Sequence, residues 1–365
     1  MSSPRVLFVT GEYPPLRGGV ADYTALLRQA LHDQGVESIV LSDEGSEGDG
    51  VYTIGNWSWP IALHIREIVQ RDPVDLVHIQ YQAGAFDMHP AINALPTALG
   101  AWMRMPVVTT FHDLRVPYLF PKAGRLRQAV MLRMARASTQ VVVTNPGDER
   151  ILQDAEIPTR RIALGPNLPV PRAGCNRHLD STIGFFGFPS REKGIVELIR
   201  AIGMFPDSTR PPLKLVGASR PDTGTHEFVA DQEIDEIARQ NKVDLQRTGY
   251  LPPQEASDQL ARSSVISLPF EHGASQRSGA LIAALSMGRP VVTTADVVRD
   301  DLDGLADLPQ LLRIAARDTN ELYAVLEDAR SAEVPSKPLP DGYQWPAIAA
   351  QHTDLYRSLI ERRSR

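Results

Sequence analysis

Short valine-rich runs alternate with amphipathic stretches along this chain, and that alternation constrains the fold more than any other feature. In the first half the runs are Val6–Thr10, Ser38–Leu41, Leu76–Ile79, Val107–Phe111 and Gln140–Thr144. Runs this apolar suit parallel strands covered by helices on both faces. Ala21–Gln34, Ile61–Arg71 and Arg125–Ala137 lie between them with helical spacing. The βαβα order predicts a doubly wound α/β sheet. Over Pro166–Asp180 the pattern breaks, and Pro166, Pro169, Pro171 and Gly174 make an irregular linker. It restarts with Thr182–Phe186, a helix Gly194–Ile202, Leu213–Val216, a helix Gln232–Gln240, Val265–Leu268, a helix Gly279–Met287 and Val291–Thr293. Trp345–Arg362 is an amphipathic helix with Ile348, Leu355 and Leu359 on one face. Ser42–Gly50 is too polar to pack and is expected to be a flexible loop; Ser219–Glu227 and Val334–Pro340 are expected to be loops or hinges.

At about 150 residues per domain, 365 residues suggest two domains. A cleft between two α/β halves is the default place for a small molecule. Cys175 is the single cysteine, so neither an intramolecular disulfide nor a cysteine-rich zinc module is available. The net charge of -6 lacks the broad basic footprint of a nucleic-acid binder. No apolar run reaches the roughly 18 residues of a membrane span, and the run after Arg5 is too short for a signal peptide. A cytoplasmic protein is the expectation.

Three strand-to-helix turns carry candidate chemistry. The first runs from Gly11 through Tyr13-Pro14-Pro15 to Gly18-Gly19-Val20. Glycines there let backbone N–H groups approach an anion at a helix N-terminus. The turn matches neither G-x-G-x-x-G nor the P-loop, which disfavours nicotinamide and ATPase readings. In the second turn, Gly187 to Gly194, Arg191 and Lys193 are placed to meet a diphosphate. The third, Leu268 to Ala280, offers Glu271 for sugar hydroxyls and the small residues Ser278, Gly279 and Ala280 for an anion. His112 follows the strand Val107–Phe111, where α/β sites place functional side chains, and Asp113 beside it would hold one tautomer. Asp301-Leu302-Asp303 matches a D-x-D metal pattern but lies in an acidic run and reads as a solvated loop. Arg127, Arg133 and Arg136 on one helix would suit an anionic membrane, although a packed helix with a solvated face explains them as well.

Taken in order, these segments resemble a retaining GT-B glycosyltransferase of family 4. Tyr13-Pro14-Pro15 with Gly18-Gly19-Val20 is similar to the family's opening motif. Phe111-His112-Asp113, Pro166-Asn167, Gly187 with Lys193-Gly194, Leu213–Gly217, Thr248–Leu251, Gly288–Val292, and Trp345 with His352 and Tyr356 resemble later ones. Two positions depart. Phe188 stands where the family carries Arg, and the E-x7-E motif is broken, with Ala283 at its second glutamate and Ser275 or Gly273 at its first.

The resemblance implies two Rossmann-like domains facing a cleft, residues 1–168 on the acceptor side and 169–344 binding the nucleotide-sugar, with a C-terminal helix, 345–365, packing back on the first. It implies transfer of a sugar from a nucleotide-diphosphate donor to a glycan, lipid-linked or other hydroxyl acceptor, with retention at the anomeric carbon and without metal or cofactor. Catalytic roles would fall on His112, Glu271 and Lys193. Gly18, Gly19, Arg191, Lys193, Tyr250, Leu251, Ser278, Gly279 and Ala280 would bind the donor. A nucleotide-sugar epimerase or a phosphorylase on the same fold remains an alternative, as does a non-catalytic nucleotide or glycan binder.

Overall fold

A computed structural model describes residues 3–114, 124–175, 179–217, 229–295, 302 and 304–364. The chain divides into two units: Met1–Gly165 with Asp341–Arg365, and Pro166–Pro340.

The first unit contains β1 (Arg5–Thr10), α1 (Gly19–His32), β2 (Glu37–Asp43), β3 (Val51–Ile54), α2 (Ile61–Arg71), β4 (Leu76–Tyr81), α3 (Ala91–Met103), β5 (Val107–Phe111), α4 (Gly124–Ala137), β6 (Gln140–Val143), α5 (Pro146–Asp154) and β7 (Thr159–Arg161). Its seven strands lie in the order β3-β2-β1-β4-β5-β6-β7, all parallel. β1, β4 and β5 are almost wholly buried, which explains their continuous apolar reading. The order reverses between β1 and β4, and their C-terminal ends open the crevice used by doubly wound sheets.

The second unit contains β8 (Asp180–Phe186), α6 (Ile195–Gly203), β9 (Leu213–Val216), α7 (Asp231–Gln240), β10 (Leu245–Arg247), α8 (Pro253–Ala261), β11 (Ser263–Leu268), α9 (Gly279–Leu285), β12 (Val291–Thr294), β13 (Leu311–Ile314) and α10 (Thr319–Ser331). Its six strands run β10-β9-β8-β11-β12-β13, again all parallel, with the switch between β8 and β11. The last helix, α11 (Trp345–Ser364), belongs to the first unit and packs on α1. Gly165 makes room for it: a Cβ there would stand 2.5 Å from the Trp345 ring. Ile348, Leu355, Tyr356 and Leu359 are buried on its inner side.

Three differences from the sequence reading have simple causes. The polar stretch Ser42–Gly50 is not all loop. Ser42 and Asp43 extend β2, and buried Ser46 and Ser42 share a hydrogen bond of 3.0 Å between their hydroxyls. The flanking strand β3 is half-buried and short, so its pattern is weak. The helix α3 carries Pro96 in its interior, which masks its periodicity. Asp301, Asp303 and residues 219–227 lie outside the described residues, as does the side chain of Arg127; Leu302 between the two aspartates is buried.

Candidate active site

In the first unit the site is built on the ends of β1, β4 and β5. Gly18 caps α1 in an extended conformation, and Gly19 opens onto free space. The amides behind them are already served by the protein. Glu12 Oε1 accepts from Val20 N–H at 3.2 Å and Ala21 N–H at 3.4 Å. A Cβ on Gly18 would stand 1.9 Å from the same oxygen and displace the Glu12 carboxylate. A carboxylate at a helix N-terminus complements the dipole, so here the protein's own anion holds the place that glycine-rich turns offer to a ligand. One turn on, Asp22 retains solvent access. Burial of its surroundings, and then the charge of Glu12, raise its carboxyl to about 6.

His112 is only partly exposed. Its backbone N–H donates to Tyr81 O at 3.0 Å, and its ring packs edge-on against Tyr23, with centroids 4.9 Å apart. Burial lowers its pKa to about 4, so the ring is neutral at pH 7. The side chain that orients it is Gln80, whose Oε1 lies 2.8 Å from Nε2. Gln80 belongs to the neighbouring strand, β4. A sequence signal for it exists: His78 and Gln80 on β4, and Thr110 on β5 with His112 just after it, are polar residues spaced i and i+2, and period two puts each pair on one face.

In the second unit the ends of β8, β9 and β11 converge on glycine. Gly187 has φ 94°, and Lys193 Nζ lies 2.7 Å from where its Cβ would project. Gly194, at φ 72°, caps α6, and a Cβ there would meet Pro269 O at 1.9 Å. A Cβ on Gly217 would touch Gly187 backbone at 3.4 Å. The glycines let three strand ends approach one another, and the ammonium of Lys193 lies against Gly187. Arg191 is tied to Glu233 of α7 in an exposed ion pair. Glu271 is paired with Arg317, whose backbone has φ 62°. Ser278 caps the seven-residue α9 with its own hydroxyl, which accepts from Leu281 N–H at 3.2 Å; Gly279 and Ala280 follow it. Tyr250 is exposed beyond the Gly217–Gly249 bridge. Leu251 lines a different feature, a cavity of about 550 Å³ walled by Arg172, Cys175, Glu255, Asp258 and Arg262. That cavity includes neither Lys193 nor Ser278. Ala283 is fully buried in α9. Among the described residues no group of three His, Cys, Asp or Glu is placed to hold a metal ion.

Residues 17–168 match Glycosyltransferase Family 4. The match covers β2 to β7 and the site on β4 and β5. No curated protein sequence matches the chain. Solved structures with the same fold extend the likeness over both units. Sucrose-phosphate synthase from Thermosynechococcus elongatus superposes with a TM-score of 0.74 at 19% identity, covering 99% of this chain and 100% of that one. Anabaena HepE, in complex with UDP and glucose, gives 0.68 at 16% identity over 98% of both chains. WaaG, a glycosyltransferase involved in lipopolysaccharide biosynthesis, gives 0.61 at 17% identity over 98% of both. The fold is therefore the GT-B arrangement of two parallel-sheet, Rossmann-like domains.

Proposed function

We propose that this protein is a glycosyltransferase that moves a sugar from a nucleotide-diphosphate donor to a hydroxyl acceptor, with retention at the anomeric carbon. The observation that carries the reading is the close approach of the β8, β9 and β11 ends at Gly187, Gly194 and Gly217, with Lys193 Nζ beside Gly187. It has the chemistry of a diphosphate cradle: close backbone approach and one cation. The family 4 match of the first unit and the fold shared with UDP-bound HepE support it.

As the glycosidic bond breaks, negative charge grows on the leaving diphosphate. Lys193 would stabilise that charge, and the backbone at Ser278–Ala280 would share it. No metal is required by this scheme. Arg191 would have to leave Glu233 to join. Glu271, held by Arg317, would orient donor hydroxyls, and neutral His112 would contact the sugar or the acceptor. Tyr250 would lie towards the base. A second reading, a binder without turnover, draws on Glu271 being already ion-paired, and on Ala283, which by the sequence resemblance would stand where the family carries a glutamate.

The deciding measurement is thermal stability with UDP, GDP, ADP, CMP and dTDP species in buffer containing EDTA. A ligand at about 100 times its Kd stabilises by about 2.7 kcal/mol, and at least one diphosphate is expected to do so. No shift with any of them would sink the donor site. Release of nucleotide diphosphate from the matching sugar donor then separates the enzyme from the binder. Lys193→Ala is expected to weaken the diphosphate by about ten- to a hundred-fold, the scale of a charged hydrogen bond; unchanged affinity would place Lys193 outside the site.

The acceptor side has its own surface. α3 and α4 contain no Asp or Glu, although the chain carries 44 acidic residues. Arg133 and Arg136 are exposed on α4, and Trp102 is 70% exposed at the end of α3. We propose that this face rests on an anionic membrane, which would suit a lipid-linked acceptor. Among the described residues no helix is long and apolar enough to cross a membrane.

A further inference from the structure

Behind His112 lies a chain of buried polar side chains that the proposed transfer leaves unused. Gln80 and His78 of β4 are fully buried, as are Thr110 of β5 and Tyr356 of α11. Gln80 Oε1 is 2.8 Å from His112 Nε2, and Gln80 Nε2 is 3.3 Å from His78 Nε2. His78 Nε2 also lies 2.7 Å from Thr110 Oγ1, and its Nδ1 lies 2.7 Å from Tyr356 OH. Buried polar groups cost free energy unless they are matched donor to acceptor, so the protons in such a chain are not independent.

The assignments follow one from another. An amide oxygen only accepts, so His112 carries its hydrogen on Nε2. An amide nitrogen only donates, so His78 Nε2 offers its lone pair, which Thr110 also uses. His78 then carries its hydrogen on Nδ1 and donates to Tyr356 OH. Gln80 thus contacts both imidazoles, its oxygen towards His112 and its nitrogen towards His78. We propose that Gln80 is a positioning residue that holds His112 in the Nε2–H tautomer, so that Nδ1 presents a lone pair to a hydroxyl of the bound substrate. The role at Nδ1 rests on the glycosyltransferase reading; the tautomer itself does not. Burial keeps the ring neutral at pH 7, so the tautomer is the variable left to set.

Long-range proton–nitrogen spectra of the full chain, labelled with ¹⁵N-histidine, test this directly at pH 7.5, with His112→Gln identifying the signal. Wild-type His112 is expected as the Nε2–H form, and Gln80→Leu is expected to shift it to a mixture or to Nδ1–H. A wild-type Nδ1–H form, or no change in Gln80→Leu, would overturn the proposal. Should Gln80→Leu fail to fold, Gln80→Glu serves. Its carboxylate still accepts from His112 but cannot donate to His78, so His112 is expected to keep its tautomer while His78 changes. A changed His112 would count against Gln80 as the determinant. Where the wild type transfers sugar, Gln80→Leu should lower kcat by about ten-fold or more, as loss of an orienting partner does, with donor affinity unchanged. A wild type that transfers nothing removes the reading of the site, while the spectra still decide the tautomer.

Discussion

A methyl group on Gly194 would stand 1.9 Å from the Pro269 carbonyl oxygen, on a backbone already at φ 72°. Left-handed backbone alone costs a residue with a Cβ roughly 1–2 kcal/mol, and the clash adds to it. Gly194→Ala is therefore expected to destabilise the second unit by about 2 kcal/mol or more, read as a lowered denaturation midpoint. An unchanged midpoint would mean that the strand ends do not pack this closely. At this scale the sequence told much. The turns, their glycines, Lys193 and the histidine after β5 stand out because a strand end followed by glycine and a helix is a local pattern. The partners did not. Gln80 is 32 residues from His112, Glu233 is 42 from Arg191, and Arg317 is 46 from Glu271. Such pairings are created by sheet order and loop closure, which no local window contains.

Among elements, the unbroken apolar strands were legible and several helices were not, although some announced themselves. α5 starts with Asn145, whose side chain accepts from Asp148 N–H at 2.9 Å, followed by Pro146 at the first turn. α10 starts with Asp318, whose carboxylate caps Glu321 N–H at 2.9 Å. Both are start signals of known mechanism. The edge strands β7, β10 and β13 are three or four residues long, too short for periodicity to register. The pair α3 and α4 makes a prediction of its own. Sedimentation with liposomes rich in anionic lipid is expected to carry the protein down at low salt and to release it as salt rises, because screening weakens surface attraction. Arg133→Glu with Arg136→Glu should abolish it. Absence of pelleting by the wild type would discard the membrane face.

For the whole molecule, two doubly wound parallel sheets were foreseeable from the two runs of βα alternation. The contents of the α11 contact were not, because a helix after the second unit gives no local sign of which side chains it meets in the first. That contact places His352 and Tyr356 beside His78 and Tyr23. Burial lowers the pKa of His78 well below 6.5, and that of His352 to about 3. His112 behaves likewise, at about 4. The unfolded chain binds protons at these histidines near pH 6.5, and the folded chain does not. Their contribution to stability is therefore present above about pH 6.5 and is lost as pH falls from there towards 4. The melting temperature should drop over that window, and less so in His352→Gln. A flat profile would mean that the histidines are not buried as neutral rings.

The route of the chain has one more consequence. It enters the second unit at Pro166 and leaves at Pro340, so that unit is a single uninterrupted length. The first unit is in two pieces, and α11 is synthesised only after the whole of the second. During that interval His78 lacks Tyr356 and Tyr23 lacks His352. Translation order and completion order are thus opposite: the unit that is made first is finished last, and the polar chain behind His112 closes only when α11 arrives.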